Sequence, residues 1–186
     1  AYMIEMRRHL HRMPELSLQE KETAAFIREQ LKALGYEPVA IADTGTYTDF
    51  IVDPEKPWLL FRADIDALPV TEETGLPFAS EHPGKMHACG HDGHTSMLLG
   101  AARAFRLGEL KSAYNLRFAF QPAEEMYGGA ARMIAAGVLP EHLAGAFGFH
   151  LWPQVPYGKF GWRKGTLMAS NDRFTITITG KGAHAA

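Results

Sequence analysis

Three short apolar runs each pass directly into residues that carry ligand or acid–base chemistry, and this pattern restricts the fold more than any other feature of the chain. Trp58-Leu59-Leu60-Phe61 leads into Arg62, Asp64 and Asp66; Leu116 to Phe120 leads into Gln121-Pro122-Ala123-Glu124-Glu125; Gly145 to Phe149 leads into His150. Such strands alternating with helical stretches indicate a three-layer α/β/α domain, and open α/β sheets bind ligands at the carboxyl ends of their strands. A fourth cluster, His87-Ala88-Cys89-Gly90-His91-Asp92-Gly93-His94, stands just before a helix that begins near Gly93 and can reach the same edge. Cys89 and His91, two positions apart, can meet one ion only if the backbone between them is extended or sharply turned, which Gly90 permits.

The local pattern supports that architecture. Ile4 to Met13 is expected to form a basic helix stopped by Pro14, with His9 and His11 on its solvated face. Ser17-Leu18-Gln19-Glu20 reads as a capping box for a second helix, in which Ala24, Ile27, Leu31 and Leu34 recur at helical spacing before Gly35. Tyr36–Ala40, Tyr47–Val52 and Trp58–Ala63 read as strands, His94–Leu107 as a helix closed by Gly108, and Leu116–Phe120 as a strand. Glu124–Ala136 reads as a helix ended by Gly137, and Gly145–Phe149 as a buried strand. Gly128 and Gly129, early in that helix, imply close backbone approach near the site, because glycine there costs about 1 kcal/mol each relative to Ala.

Composition narrows the class. In 186 residues, 46% hydrophobic and 22% charged residues give the balance of a soluble globular chain with one ordinary core and the start of a second. A net charge of −2 supplies no basic field, so nucleic acid is not an expected partner. No apolar run approaches the roughly 20 residues that span a bilayer and no signal-peptide pattern opens the chain, so no membrane partner is expected and a cytoplasmic location is. The one cysteine excludes an internal disulfide.

At the strand edge, one pocket could hold Cys89, His91, Glu125 and His150 as ligands, with Asp64, Asp66, Glu124 and Asp92 close by. Adjacent glutamates at a strand-to-helix corner point in different directions, so one can bind metal while the other reaches a water activated by it. The residues alone leave open which does which. His87 and His94 are expected to orient ligands or to pack.

Arg7-Arg8-His9-Leu10-His11-Arg12 with Pro14-Glu15-Leu16, Phe61 to Pro69, Glu73 to Pro77, Met86 to His94, Gln121 to Glu125, Phe149-His150 and Gly180 to His184 together resemble the M20 metallopeptidases. The nearest branch is the amidohydrolase subfamily, with its hippurate hydrolases, indole-acetyl-amino-acid hydrolases and N-acetyl-diaminopimelate deacetylases. The resemblance implies that Cys89, His91, Glu125 and His150 ligate metal, that Glu124 is the general base, and that Asp66 supports the site by orienting a ligand. It implies that His184 contacts substrate, often from the partner subunit. The fold implied is a zinc-peptidase-like catalytic domain over residues 1–168, lacking its C-terminal part and the last metal-binding histidine, followed over 169–186 by the first strand region of a smaller α+β lid and dimerisation domain. Arg173 to Thr179 alternates apolar residues with threonines, as a half-buried strand would. The family's enzymes are roughly twice this length, so the chain is expected to be a portion of a longer protein and not fully active alone.

The activity so implied is hydrolysis of the amide of an N-acyl amino acid, using two divalent ions, zinc or else manganese, cobalt or nickel, in a homodimer formed through the lid. The rival readings are an exopeptidase of the same superfamily, cleaving dipeptides or C-terminal residues, and a non-catalytic binding or assembly module.

Overall fold

The computed structural model describes residues 1–170, 174–182 and 184. The chain divides into two compact units, Ala1–Leu151 and Trp152–Ala186.

The first unit is built on a five-stranded sheet: β1 (Val39–Ile41), β2 (Gly45–Phe50), β3 (Trp58–Asp64), β4 (Asn115–Gln121) and β5 (Leu143–Gly148), in spatial order β1-β2-β4-β3-β5. Its helices are α1 (Tyr2–Arg12), α2 (Lys21–Ala33), α3 (His91–Arg106) and α4 (Gly129–Ala135). Strands β4 and β5 both pair parallel to β3, one on each side, while β2 pairs antiparallel with β4 and β1 with β2. The chain therefore leaves β3 through α3 to one neighbour and returns through α4 to the other. That reversal of direction creates a switch point beside the carboxyl ends of β3, β4 and β5.

The two faces of the sheet explain the layering. Strand β4 is buried throughout, and its alternate side chains feed different cores. Leu116, Phe118 and Phe120 pack with Ile27 and Leu31 of α2 and Leu98, Leu99 and Ala102 of α3. Ala119 and Leu60, on the opposite face, pack with Met133 of α4 and Val138. The expected α/β/α sandwich is thus formed by α2 and α3 on one face and α4 on the other. The hydroxyl of Tyr36 donates to the carbonyl of Ala102 at 2.8 Å, so this residue plugs the core and does not begin a strand.

Element boundaries depart from the pattern-based reading where side chains find remote partners. Helix α2 starts at Lys21 without a capping box: Ser17 turns away to Asp66, and the Glu15 carboxylate instead accepts from the backbone N–H of Thr23 and from its hydroxyl, each at 2.8 Å. Strand β5 is an edge strand and largely exposed, with Phe147 47% accessible, because only β3 flanks it.

Of the second unit, Arg173 lies outside the described residues, and residues 174–179 form no strand. Strand alternation needs a neighbour to take up its backbone bonds. No helix among the described residues is long and apolar enough to cross a membrane.

Candidate metal centre

Each cluster is carried to the sheet edge by a local backbone device. Gly90, in the left-handed conformation at φ +90°, turns the chain immediately before α3, so the helix begins at His91 and not at His94. His91, Asp92 and His94 consequently lie in its first turn. At the end of β4, Ala123 (φ +50°), Tyr127 (φ +70°) and Gly128 (φ +65°) break the chain, so Glu124 and Glu125 stand on a bend and α4 starts only at Gly129. A Cβ on Gly129 would lie 1.7 Å from the carbonyl oxygen of Pro122, which accounts for the glycine. His150 stands two residues past the end of β5, after Phe149.

These devices bring the expected ligand types together. Cys89 Sγ lies 3.4 Å from His150 Nε2, and His91 Nε2 lies 3.7 Å from Glu125 Oε1. Ligand atoms of Cys89, His91 and His150 fall within 4.8 Å of one another, as do those of His91, Glu124 and Glu125. Two nitrogen or oxygen ligands about 2.1 Å from one tetrahedral ion stand about 3.4 Å apart, so these separations match a metal site. His91 Nε2 and Glu125 Oε1 are buried yet have no hydrogen-bond partner among the described residues. Buried polar atoms left this way are costly, and a shared cation would satisfy both.

Asp66 holds the two halves together. Its Oδ2 accepts from the backbone N–H of Glu125 at 3.0 Å and from Ser17 Oγ at 2.7 Å, while Oδ1 stands 3.3 Å from His91 Nδ1. A carboxylate on Nδ1 leaves Nε2, the atom facing Glu125, with its lone pair available to a metal. Asp64 Oδ2 is 2.8 Å from Arg62 Nη1 and 3.6 Å from His91 Nε2.

The electrostatics follow from this crowding. Burial and then the Glu125 carboxylate push the Cys89 thiol up to about 12. Burial and Glu125 likewise raise the carboxyl of Glu124. Burial alone would raise Asp64, but the hydrogen bond from His94 and the charges of His91 and Arg62 bring it down to about 2. A divalent ion would reverse the penalty on the thiol by stabilising its thiolate.

Several contributors escaped the linear pattern. Glu20, fully buried, accepts from the Ala123 N–H at 2.8 Å and from the Thr44 hydroxyl at 2.6 Å, so it ties the start of α2 to the bend carrying Glu124. Glu20→Ala should destabilise the fold by about 3 kcal/mol in denaturant titration, since it strands a buried backbone donor; an unchanged midpoint would show that this tie is idle. His11, expected on a solvated face, is instead 2% accessible and places Nδ1 2.7 Å from Asp92 Oδ2. No local window reveals these pairings, because the partners lie 103 and 81 positions away. His87 is buried with both ring nitrogens unpartnered among the described residues, and burial drives it down to about 4; it belongs to none of the metal-competent groups. His184 is exposed within the second unit.

Comparison with known proteins points the same way. The profile of Peptidase family M20/M25/M40 matches residues 60–185. The chain is 48% identical to an N-acetyl-L-cysteine deacetylase of Bacillus subtilis, over 99% of its own length and 44% of that protein's. It is 46% identical to an N-acyl-L-amino acid amidohydrolase of Geobacillus stearothermophilus, over 99% of its length and 50% of the relative's. It thus spans about half the length of the curated relatives it matches. Among solved structures, it is similar to a Bacillus subtilis dinuclear metal-binding peptidase of the M20 family, at 43% identity and a TM-score of 0.78, covering 83% of this chain and 44% of that one.

Proposed function

This chain belongs to Peptidase family M20/M25/M40, and from that premise we propose that it is part of a metal-dependent amidohydrolase that cleaves the amide bond of N-acyl amino acids. The observation that carries the reading is the pairing of Glu124 with Glu125 beside His91: one carboxylate half-buried toward an imidazole nitrogen, its neighbour exposed at the same place. In this reading Cys89, His91, Glu125 and His150 hold two divalent ions, and Asp66 fixes His91 and the Glu125 backbone relative to each other. Bound ions would lower the pKa of a coordinated water from about 16 toward about 7 and polarise the amide carbonyl. Zinc suits the thiolate and imidazole donors, and manganese, cobalt or nickel fit a mixed nitrogen, oxygen and sulfur set.

The chain's own residues then supply the proton transfers. Glu124, unused by any structural hydrogen bond of its side chain among those described, takes the proton from the attacking water and returns it to the departing nitrogen. Its position beside Glu125 favours the protonated form between those steps, since two neighbouring carboxylates resist joint ionisation. Residues 1–168 would form part of the catalytic domain and 169–186 the start of a lid, from which His184 would contact substrate in a homodimer. The single cysteine, unpaired, accords with a reducing cytoplasmic setting.

Beside Glu125 lies a partly open hollow of about 90 Å³, lined by both apolar residues (Leu16, Leu68, Met126) and polar ones (Ser17, Gln19, Tyr127). The test is a panel of N-acetyl amino acids, hippurate and dipeptides, assayed on the intact protein with and without chelator. N-acyl amino acids, the N-acetyl compounds or hippurate, should be hydrolysed faster than dipeptides, with loss of activity on chelation. Preferential turnover of dipeptides would favour the exopeptidase, and no turnover of any amide by the metal-loaded protein would leave a non-catalytic module.

A further inference from the structure

We propose that His94 is a positioning residue that sets the orientation of His150 through the peptide unit of Leu151; the inference rests on His150 being a metal ligand, as read above. His94 is 2% accessible, and both of its ring nitrogens are engaged. Leu151 donates its backbone N–H to His94 Nε2 at 2.8 Å. The ring proton therefore sits on Nδ1, which faces Asp64 Oδ1 at 2.6 Å. With one nitrogen accepting and the other donating, His94 has no lone pair left for an ion, although it lies within a cluster of Asp64, His91 and His94 that has ligand-type atoms close enough to hold one.

The same peptide unit controls His150. The carbonyl of Leu151 lies 2.6 Å from His150 Nδ1, which donates to it, so the lone pair of His150 is on Nε2, the atom 3.4 Å from Cys89 Sγ. Leu151 is thus gripped at both ends, by His94 at its N–H and by His150 at its carbonyl. An apolar contact secures it further: a Cβ on Gly93 would lie 2.4 Å from Leu151 Cδ1, so the bare backbone of the first turn of α3 is what lets this side chain seat there. The His94 and His150 rings meet edge to face with centroids 4.5 Å apart. A relay runs from Arg62 through Asp64 and His94 to the Leu151 backbone, and it fixes the tautomer and ring direction of a histidine that β5 delivers on an open strand end.

Two substitutions separate this role from packing. Glutamine at 94 places an amide oxygen where Nε2 stands and keeps the acceptor for Leu151, whereas asparagine reproduces only the Nδ1 donor toward Asp64. Zinc affinity of the intact protein, measured by competition with a chromophoric chelator, should fall about 10- to 100-fold in His94→Asn and stay within about threefold of the parent in His94→Gln. The cobalt-loaded His94→Asn protein should keep the thiolate-to-metal absorption of Cys89 while its ligand-field bands change. His94→Ala, which also lacks the acceptor, should match His94→Asn and serves in its place should that variant not fold. Equal affinities in the Asn and Gln variants, whether both lowered or both unchanged, would overturn the positioning role. If His150→Ala binds zinc as tightly as the parent, the ligand assignment itself is wrong and this inference falls with it.

Discussion

Glu124→Gln is expected to lower turnover by about a thousandfold while metal content stays at the parent level. The side chain is exposed and projects from a bend whose backbone is held by other groups: Glu20 takes the Ala123 N–H and Asp66 takes the Glu125 N–H. Glutamine preserves size and leaves both ties intact, so the fold and the neighbouring Glu125 should be undisturbed. What it removes is a carboxylate able to accept a proton and give it back. Steady-state kinetics combined with elemental analysis of the same samples checks both halves. A near-parental rate would assign the base elsewhere; lost metal with the rate would mean that Glu124 is a ligand.

His91→Ala should have the largest effect on metal binding, lowering zinc affinity by at least about a hundredfold and abolishing the rise in thermal midpoint that zinc confers on the parent. Every cluster of ligand-type side-chain atoms among the described residues contains His91: with Cys89 and His150, with Glu124 and Glu125, and with Asp64 and His94. No other residue is common to all three. Asp66 would lose the imidazole it steers but would still hold Ser17 and the Glu125 backbone, so the apo fold should survive. Equilibrium dialysis and calorimetric melting with and without zinc provide the readout. Undiminished zinc binding in a folded His91→Ala protein would remove His91 from the centre.

The site was legible along the chain because its chemistry changes abruptly. Apolar β3 and β4 end in Asp64 and Gln121, and the parallel pairing of β3 with β4 and β5 converts three separate sequence endings into one edge. What stayed hidden depends on long-range partners or on backbone sign. Ser17 and Glu20 have the spacing of a helix cap, yet each finds a stronger use, with Asp66 and with Ala123, that no local window contains. The start of α3 was displaced by three residues because the left-handed turn at Gly90 admits His91 into the helix. The same apolar letters that suggest a buried strand at 145–149 serve at an edge, where exposure is decided by neighbours and not by composition.

Anomalous diffraction from crystals of the intact protein loaded with zinc addresses the metal centre directly. Two anomalous peaks about 3.5–4 Å apart, bounded by Cys89 Sγ, His91 Nε2, Glu125 and His150 Nε2 with Glu124 beside them, are the expected result. Zinc bound elsewhere, with no ion on the Cys89 thiol or His150, would contradict it.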